Sequence, residues 1–190
     1  MINEYVRILS LWNAKMNLVQ YKTLNDVYRR HIADSEQICE FFAPNLDGNI
    51  VVDIGSGAGL PGVVLAIKGV HNIILCEKNS KKCVFLAEVK SKLKLNYKIY
   101  NGDIYKLAQV KGSKHKIIFV SRAFGSLNKL IDIMYKFNAD EGIFHKGESY
   151  VDEIKIAEKE FEFHKQIFES AVNNKSVIIK IDNVRKKYGD

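Results

Sequence analysis

The sequence Val51-Val52-Asp53-Ile54-Gly55-Ser56-Gly57-Ala58-Gly59-Leu60-Pro61-Gly62 decides the fold. Its apolar first half predicts a buried strand, and this strand ends in a turn where Gly55, Gly57 and Gly59 can adopt positive φ. Pro61 is tolerated in the first turn of a following helix, because the N–H that proline lacks is unpaired there anyway. The N–H groups at the start of that helix point toward the same turn. The stretch therefore predicts a nucleotide-like ligand at this junction.

The spacing of the glycines separates two classes of nucleotide-binding enzyme. Dinucleotide enzymes carry G-x-G-x-x-G, arranged for a pyrophosphate, whereas this turn reads G-x-G-x-G, the pattern of class I methyltransferases. Asp53 precedes the turn, and a carboxylate there suits a cationic amino-acid ligand but repels a pyrophosphate. Glu77 ends the next apolar run, where an acid can accept both ribose hydroxyls of an adenosyl group. The alternative is that both acids are simply polar strand ends.

These patterns favour S-adenosylmethionine as the cofactor. Its candidate contacts in and beside the glycine turn are Asp53, Gly55, Ser56, Gly57, Gly59, Leu60 and Glu77. Cys39, Cys76 and Cys83 are odd in number and lack Cys-x-x-Cys spacing, so neither a disulfide framework nor a metal site is expected.

Length and composition indicate one main hydrophobic core. The chain has 190 residues, of which 47% are hydrophobic, and this suffices for one domain with a helical extension. We expect residues 1–45 to form that extension and 46–190 the cofactor-binding domain, together one structural unit. The apolar stretches are much shorter than the roughly 20 residues that cross a bilayer, and no signal peptide is visible. A cytoplasmic monomer without membrane contact is expected.

The excess of basic residues is unevenly distributed. The chain carries 29 lysines and arginines against 22 acids, and the segment 78–98 contains seven lysines and a single acid, Glu88. A local positive field of this kind attracts phosphate backbones. Lys81 and Lys82 open the helix after Glu77, close enough to the predicted ligand to meet phosphates. The alternative is a solvated helix face.

The rest of the chain alternates strands and helices after an all-helical start. Amphipathic helices are predicted over residues 4–18 and 24–42, followed by strands near 50–54, 72–76, 97–101, 116–121, 141–145, 163–169 and 175–181. Helices between the earlier strands indicate a mainly parallel sheet covered on both faces. Asn173-Asn174 predicts a hairpin turn joining the last two strands.

This arrangement predicts the α/β class I, Rossmann-like methyltransferase fold, with a seven-stranded, mostly parallel sheet, a C-terminal antiparallel hairpin and an N-terminal helical extension. With right-handed crossovers, the ligand crevice lies at the C-terminal ends of the first strands. Several polar or glycine positions fall at those ends: Asp53, Gly55, Glu77, Asp103 and Arg122.

Four segments together resemble a known family over essentially the whole chain. They are Leu11-Trp12-Asn13-Ala14-Lys15-Met16-Asn17-Leu18, Arg30-His31-Ile32-Ala33-Asp34-Ser35, the glycine turn with Leu60-Pro61-Gly62, and Ser121-Arg122-Ala123-Phe124. The combination is similar to ribosomal RNA small subunit methyltransferase G, also called glucose-inhibited division protein B. The resemblance implies a bacterial enzyme that methylates N7 of a guanosine in 16S ribosomal RNA. The implied partner is that RNA, the small ribosomal subunit or an assembly intermediate.

The resemblance also implies roles for individual residues. Those implied to line the cofactor site are Gly55, Leu60, Ile104, Tyr105 and Arg122, and those implied to contact RNA or flank the cofactor are Lys15, Asn17, Arg30, His31 and the retained Lys146. Two stretches depart from the family pattern. Gly102-Asp103-Ile104-Tyr105 replaces a run such as Arg-Ala-Glu, and His145 stands where the family usually has an apolar residue.

The reaction implied by the resemblance requires no general base, because N7 of guanine carries an in-plane lone pair and no proton. Positioning of the nucleophile and control of water then remain as the enzyme's tasks. The Asn-Pro-Pro-Tyr motif of amino-group methyltransferases is absent, since the chain's prolines are Pro44 and Pro61. Arg122 stands where that motif would be and is the candidate positioning residue. A salt bridge to a neighbouring acid is its structural alternative.

Three other functions stay open at this point. The first is methylation of another RNA or of a small metabolite, and the metabolite would require an enclosed pocket and salt-insensitive binding. The second is a non-catalytic nucleic-acid-binding protein that retains a methyltransferase fold, although the intact glycine turn and Glu77 argue against it. A nicotinamide-dependent dehydrogenase is the most remote.

Overall fold

The computed structural model describes residues 1–42, 48–110 and 114–187. The seven strands are β1 (Ile50–Ile54), β2 (Ile73–Glu77), β3 (Tyr97–Asn101), β4 (Ile117–Arg122), β5 (Glu141–Lys146), β6 (Phe161–Glu169) and β7 (Val177–Lys186). They form one sheet in the order β3-β2-β1-β4-β5-β7-β6. The first five strands in the chain are parallel, and β7 pairs antiparallel with both β5 and β6. The predicted fold, including the C-terminal antiparallel hairpin, is confirmed.

Helices cover both faces of the sheet. They are α1 (Ile2–Asn13), α2 (Leu24–Val27), α3 (Ala33–Glu36), α4 (Gly62–Ile67), α5 (Ser80–Leu93), α6 (Leu127–Phe137) and α7 (Tyr150–Glu160). Asn79 is the N-cap of α5, and its side chain accepts the N–H groups of Lys81 and Lys82. Ser126 is the N-cap of α6, and its hydroxyl accepts the N–H of Lys129. No helix in the described part of the chain is long and apolar enough to cross a membrane.

The region predicted as one helix over residues 24–42 is instead four short helical pieces. A π-helical turn, Tyr28–Ile32, separates α2 from α3, and a 3₁₀ turn, Gln37–Phe41, follows. Hydrogen bonds of side chains to the backbone accompany the break. Thr23 and Asp26 form a capping box, and Ser35 Oγ donates to the His31 carbonyl at 2.7 Å. Such bonds compete with regular helix formation. A π turn also rotates the residues it carries, which here are Arg29, Arg30 and His31.

The connection between β6 and β7 is longer than the two-residue turn that Asn173-Asn174 predicted. Residues 170–176 join the strands, and the Ser170 hydroxyl accepts the N–H groups of Val172 and Asn173. Val177 pairs with Lys146, the last residue of β5. The turn 170–176 therefore lies at the edge of the sheet where the parallel strands end.

The N-terminal helices share a hydrophobic core with the sheet. Tyr5, Ile8 and Leu9 of α1 are fully buried in the same cluster as Val64 and Phe85. The hydroxyl of Tyr5 donates to the carbonyl of Ala58, inside the glycine turn, at 2.6 Å. The predicted division between residues 45 and 46 lies outside the described residues and stays a prediction.

Candidate cofactor site and the catalytic edge of the sheet

A pocket of about 270 Å³ opens at the carboxyl ends of β1, β2 and β4. Ligands of open α/β sheets bind at this edge, where the strand order reverses. Four loops supply its walls: the glycine turn after β1, the residues after β2, those after β3, and the β4–α6 loop. The lining residues are Ile54, Gly55, Cys76, Glu77, Lys78, Lys82, Gly102, Asp103, Ile104, Tyr105, Ala123, Phe124 and Lys129.

The glycine turn is fixed by bonds from its own backbone. The N–H groups of Gly55 and Ser56 both donate to the carbonyl of Cys76, at 2.9 and 3.0 Å. Gly55 has φ +69°, and a Cβ built on it would lie 2.3 Å from Cδ2 of Phe124. Only glycine fits here, because a side chain would be strained at this φ and would collide with the opposite wall of the pocket.

Glu77 connects the glycine turn to the pocket. Its Oε2 accepts the N–H of Gly57 at 2.9 Å, and its Oε1 accepts the N–H of Asn79 at 2.8 Å. Each carboxylate oxygen retains a second lone pair, and the residue lines the pocket while 7% exposed. The side chain is therefore oriented on both sides before any ligand binds and can accept further hydroxyl donors. The hydroxyls of an adenosyl ribose require acceptors of this kind.

Asp53, in β1, is fully buried and does not line the pocket. Its Oδ2 accepts the N–H of Gly62 at the start of α4 at 3.0 Å, while Oδ1 has no hydrogen-bond partner among the described residues. Burial raises the pKa of Asp53 to about 7, against the hydrogen bonds from Gly62 and Ser56, which lower it. The carboxylate thus connects the strand to the helix and holds the glycine turn between them.

We expect Asp53→Asn to stabilise the ligand-free protein above pH 7. Because the pKa is about 7 when folded and 3.8 ordinarily, the wild type loses stability as pH rises through this window, whereas asparagine does not titrate. The variant's advantage in free energy of unfolding should grow between about pH 4 and pH 7 to roughly 2–4 kcal/mol. Urea unfolding at pH 5 and pH 8 measures it.

Asp140→Asn is the matched control, because Asp140 is an exposed aspartate whose Oδ2 likewise accepts one backbone N–H, that of Ile117. Urea unfolding of this variant at the same two pH values gives the effect of replacing an aspartate that is not buried. A constant difference between Asp53→Asn and wild type at the two pH values would contradict the raised pKa.

The third wall of the pocket follows β3. Asp103 caps the short helical turn Ile104–Lys106 by accepting the N–H of Tyr105 at 3.0 Å. The hydroxyl of Tyr105 donates to Asp132 at 2.9 Å, and burial together with that carboxylate raises the pKa of Tyr105 to about 12. Ile104 is buried and Tyr105 half-buried. This wall offers an apolar surface suited to an adenine ring, with a carboxylate at its edge.

The β4–α6 loop closes the pocket from the other side. Ala123 has φ +60°, an uncommon conformation for a residue with a side chain that often marks a functional turn. Phe124 lies against Gly55, and Lys129 Nζ sits 4.8 Å from the centre of its ring. Sequence reasoning gave this aromatic residue no firm role, although an aromatic next to a left-handed residue could have indicated one.

Lys146 and Glu153 hold the β4–α6 loop in place from beneath. Lys146 is paired with Glu153 and donates to the Gly125 carbonyl at 3.0 Å, and its side chain is 7% exposed. Glu153 also accepts the N–H of Leu127. Burial raises the pKa of Glu153, but the bonds from Lys146 and Leu127 outweigh it and lower the pKa. In this structure the ammonium of Lys146 is bonded inside the protein, and its predicted contact with RNA stays a prediction.

Arg122 turns away from the pocket toward the π-helical turn. Its Nη1 donates to the carbonyl of Arg30 at 3.1 Å and to Asp34 Oδ2 at 3.3 Å, and its Nη2 donates to Nδ1 of His31 at 2.9 Å. His31 Nε2 lies 3.0 Å from the Gln20 carbonyl, so that nitrogen carries the proton and Nδ1 accepts. Burial and the nearby guanidinium both lower the pKa of His31. His145 completes the cluster by donating to the carbonyl of Asp34 at 2.8 Å.

The structure brings together only part of the predicted site. Of the predicted cofactor contacts, those in the pocket lining are Gly55, Glu77, Asp103, Ile104 and Tyr105, while those behind or beside it are Asp53, Ser56, Gly57, Gly59, Leu60 and Arg122. Of the predicted RNA contacts, Lys82 lines the pocket, whereas Lys15, Asn17 and Lys81 are exposed without a described side-chain partner. All these assignments stay predictions.

Comparison with known proteins identifies the family. The family model described as GidB, rRNA small subunit methyltransferase G, matches residues 1–180. The chain belongs to this family. A protein of Orientia tsutsugamushi (strain Ikeda) with the name Ribosomal RNA small subunit methyltransferase G is 37% identical over 179 residues, covering 94% of this chain and 87% of the relative. One from Rickettsia akari is 33% identical, covering 96% and 92%. The resemblance predicted from sequence is confirmed, and with it the class of S-adenosylmethionine-dependent methyltransferase.

Solved structures confirm the fold of this member of the methyltransferase G family. Magnesium protoporphyrin IX methyltransferase from Synechocystis, solved with bound SAM, superposes with a TM-score of 0.65 at 12% identity, covering 96% of this chain and 95% of the other. A Pyrococcus abyssi tRNA (uracil-54, C5)-methyltransferase in complex with S-adenosyl-L-homocysteine gives 0.56 at 11% identity, covering 78% and 37%. Their substrates differ, so the likeness concerns the fold alone.

Proposed function

We propose that this protein transfers a methyl group from S-adenosylmethionine to N7 of a guanosine in bacterial 16S ribosomal RNA. The observation that carries the proposal is the pocket at the carboxyl edge of the sheet. There the glycine turn and Glu77 are joined by the Gly57 N–H bond in a chain of the methyltransferase G family. When bound, S-adenosylmethionine supplies an activated methyl group. The residues proposed to hold it are Gly55, Glu77, Asp103, Ile104 and Tyr105.

The protein's own contribution is to position the two reactants and exclude water. Guanine N7 has no proton to remove, so the cluster around Arg122 need not act as a base. A guanidinium close to N7 would also oppose the positive charge that develops on the base. Instead, Arg122 fixes the π-helical turn against β4 through three hydrogen bonds. Arg122 is thus a positioning residue, and Phe124 beside Gly55 excludes water from the reacting atoms.

The proposed RNA partner is attracted by unpaired cations around the pocket. Lys78 and Lys82 line it, and neither makes an ion pair with any residue in the described parts of the chain. Contacts between such lysines and RNA phosphates increase the affinity for RNA, and this contribution decreases as the salt concentration rises. We propose that the protein acts as a monomer in the cytoplasm, on 16S rRNA within the small subunit or a precursor of it.

A labelled-cofactor experiment tests this function directly. The protein would be incubated with methyl-labelled S-adenosylmethionine and one of three substrates: naked 16S rRNA, small subunits or subunit precursors from unmethylated cells. The modified nucleotide would then be mapped. Label at N7 of one guanosine, with binding that weakens steeply as salt rises, supports the proposal. Label at another position of the RNA, or cofactor uptake without transfer to any of the three substrates, would contradict it.

We expect Arg122→Lys to lower the single-turnover rate constant of methyl transfer about tenfold while leaving the Kd for S-adenosylmethionine within twofold of wild type. Lysine keeps the charge but cannot reach Asp34, His31 and the Arg30 carbonyl together, because it lacks the planar fork of arginine. Loss of one or two charge-assisted hydrogen bonds accounts for an effect of this size. Single-turnover kinetics with saturating cofactor measure it. A large loss of cofactor affinity would instead indicate direct contact with the cofactor.

A further inference from the structure

A second cavity lies at the same edge of the sheet, on the far side of Arg122 from the cofactor pocket. It has a volume of about 770 Å³ and runs between the π-helical turn and the β6–β7 turn. We call it the hairpin groove. Its lining residues are Asp26, Arg29, Arg30, Asp34, Ser170, Ala171, Val172, Asn173, Asn174 and Ser176.

The two walls of the hairpin groove are held at a fixed distance by Gln37. Its Nε2 donates to the hydroxyl of Ser170 at 3.2 Å and to Asp34 Oδ1 at 3.1 Å, and its Oε1 accepts the N–H of Ala171 at 2.7 Å. One side chain therefore connects the N-terminal helices to the β6–β7 turn and to the partner of Arg122. The groove is preformed, which lowers the entropic cost of binding a ligand in it.

The charges in the hairpin groove leave one arginine available. Asp26 is occupied by the backbone N–H groups of Lys22 and Thr23 and by an ion pair with Arg30, and Asp34 is paired with Arg122. Arg29 is exposed and makes no ion pair or side-chain hydrogen bond with any residue in the described ranges. Both acids are thus neutralised internally, and the guanidinium of Arg29 is free for an anion.

The β6–β7 turn supplies hydrogen-bonding groups opposite Arg29. The amide of Asn173 is occupied by the Ser176 hydroxyl and the N–H of Lys175. The side chain of Asn174 is exposed, and no residue in the described ranges bonds to it. A free amide offers both a donor and an acceptor, which is the pairing that the edge of a nucleobase presents.

We propose that the hairpin groove binds an unpaired nucleotide of the RNA strand next to the methylated guanosine, with its phosphate on Arg29 and its base edge on Asn174. The inference rests on the proposed function, because it assumes that RNA enters this edge of the sheet. Specific RNA recognition mostly uses unpaired nucleotides whose edges are accessible, and the polar lining of the groove suits such a ligand. The Arg122–Asp34 pair joins this subsite to the loop over the cofactor pocket.

Arg29→Gln tests the subsite, with Arg185→Gln as the matched control. Arg185 is also an exposed arginine without a described side-chain partner, but it lies near the end of β7, at the opposite edge of the sheet. We expect Arg29→Gln to raise the KM for RNA about tenfold and to reduce the slope of log affinity against log salt by about 0.7, the value for one phosphate contact of a single strand. The Kd for S-adenosylmethionine should not change, and Arg185→Gln should behave as wild type.

A crosslinking experiment identifies the occupant. RNA carrying 4-thiouridine beside the target guanosine would be irradiated with the wild-type protein and the crosslinked peptide sequenced. A crosslink within residues 170–176 supports the subsite. Equal kinetics of Arg29→Gln and Arg185→Gln, or crosslinks found only outside residues 170–176, would overturn it. If the wild type binds cofactor but methylates no RNA, the proposed function itself fails, and that outcome is distinguishable because it does not depend on Arg29.

Discussion

Gly55→Ala is expected to weaken binding of S-adenosylmethionine about a hundredfold or more. A left-handed conformation costs an alanine roughly 1–2 kcal/mol, and Gly55 has φ +69°. The new Cβ would also lie 2.3 Å from Cδ2 of Phe124, and relief of such an overlap typically costs about 1–3 kcal/mol. Both penalties fall on the wall where the cofactor is proposed to bind, so affinity should be lost together with some stability.

Isothermal titration calorimetry with S-adenosylmethionine and S-adenosylhomocysteine measures this loss, with thermal unfolding recorded in parallel. Gly147→Ala is the control, because Gly147 has no positive φ and a Cβ there has no neighbour within 4 Å. The control should bind both ligands as the wild type does. Wild-type affinity in a folded Gly55→Ala protein would show that the cofactor does not lie on this turn.

Glu77→Gln is expected to lower the affinity for S-adenosylmethionine by about a hundredfold. Both carboxylate oxygens accept a backbone N–H, from Gly57 and Asn79, and an amide can replace only one of them. Its NH₂ group would then face the other N–H, so the bond to Gly57 or the bond to Asn79 is lost. Hydrogen bonds to charged groups contribute about 1.5–3 kcal/mol each, and an acceptor for the ribose hydroxyls disappears as well.

Glu88→Gln provides the comparison for this substitution. Glu88 is a half-buried acid on α5 that accepts one hydrogen bond, from Trp12 Nε1 at 3.0 Å, outside the lining of the pocket. Cofactor affinity measured by calorimetry should be unchanged in Glu88→Gln. Similar affinities in the two variants would mean that Glu77 only orders the backbone of the apoprotein.

The sheet could be predicted from sequence because its signals are local. Each central strand is a run of five or six mostly apolar residues, and burial on both faces of a parallel sheet requires such runs. The glycine turn was equally predictable, since only glycine adopts its backbone angles readily. The break in the helix after α1 could not be predicted. It depends on side-chain bonds such as that from Ser35 Oγ to the His31 carbonyl, and the spacing of apolar residues carries no information about them.

Contacts between residues far apart in sequence explain why part of the candidate site could not be predicted. Arg122 was placed at the correct strand end, but its three partners come from the N-terminal helices, about 90 residues away in sequence. Lys146 was identified by its motif, yet only the tertiary structure shows that Glu153 of α7 pairs with it. His145, which had no explanation from the sequence, donates to the Asp34 carbonyl. Such pairings are non-local and depend on the packed structure.

The bond from Tyr5 to the Ala58 carbonyl has an evolutionary consequence. Since the first helix supplies a donor to the loop on which the cofactor is proposed to rest, selection for cofactor binding also acts on the side chain at position 5. Because the acceptor is a main-chain carbonyl, no side-chain change at position 58 can replace a hydroxyl lost at position 5. The outer strand β6, most of whose side chains face solvent, carries no comparable constraint. Among descendants of this protein, sequence divergence should therefore be greater along that outer strand than at position 5.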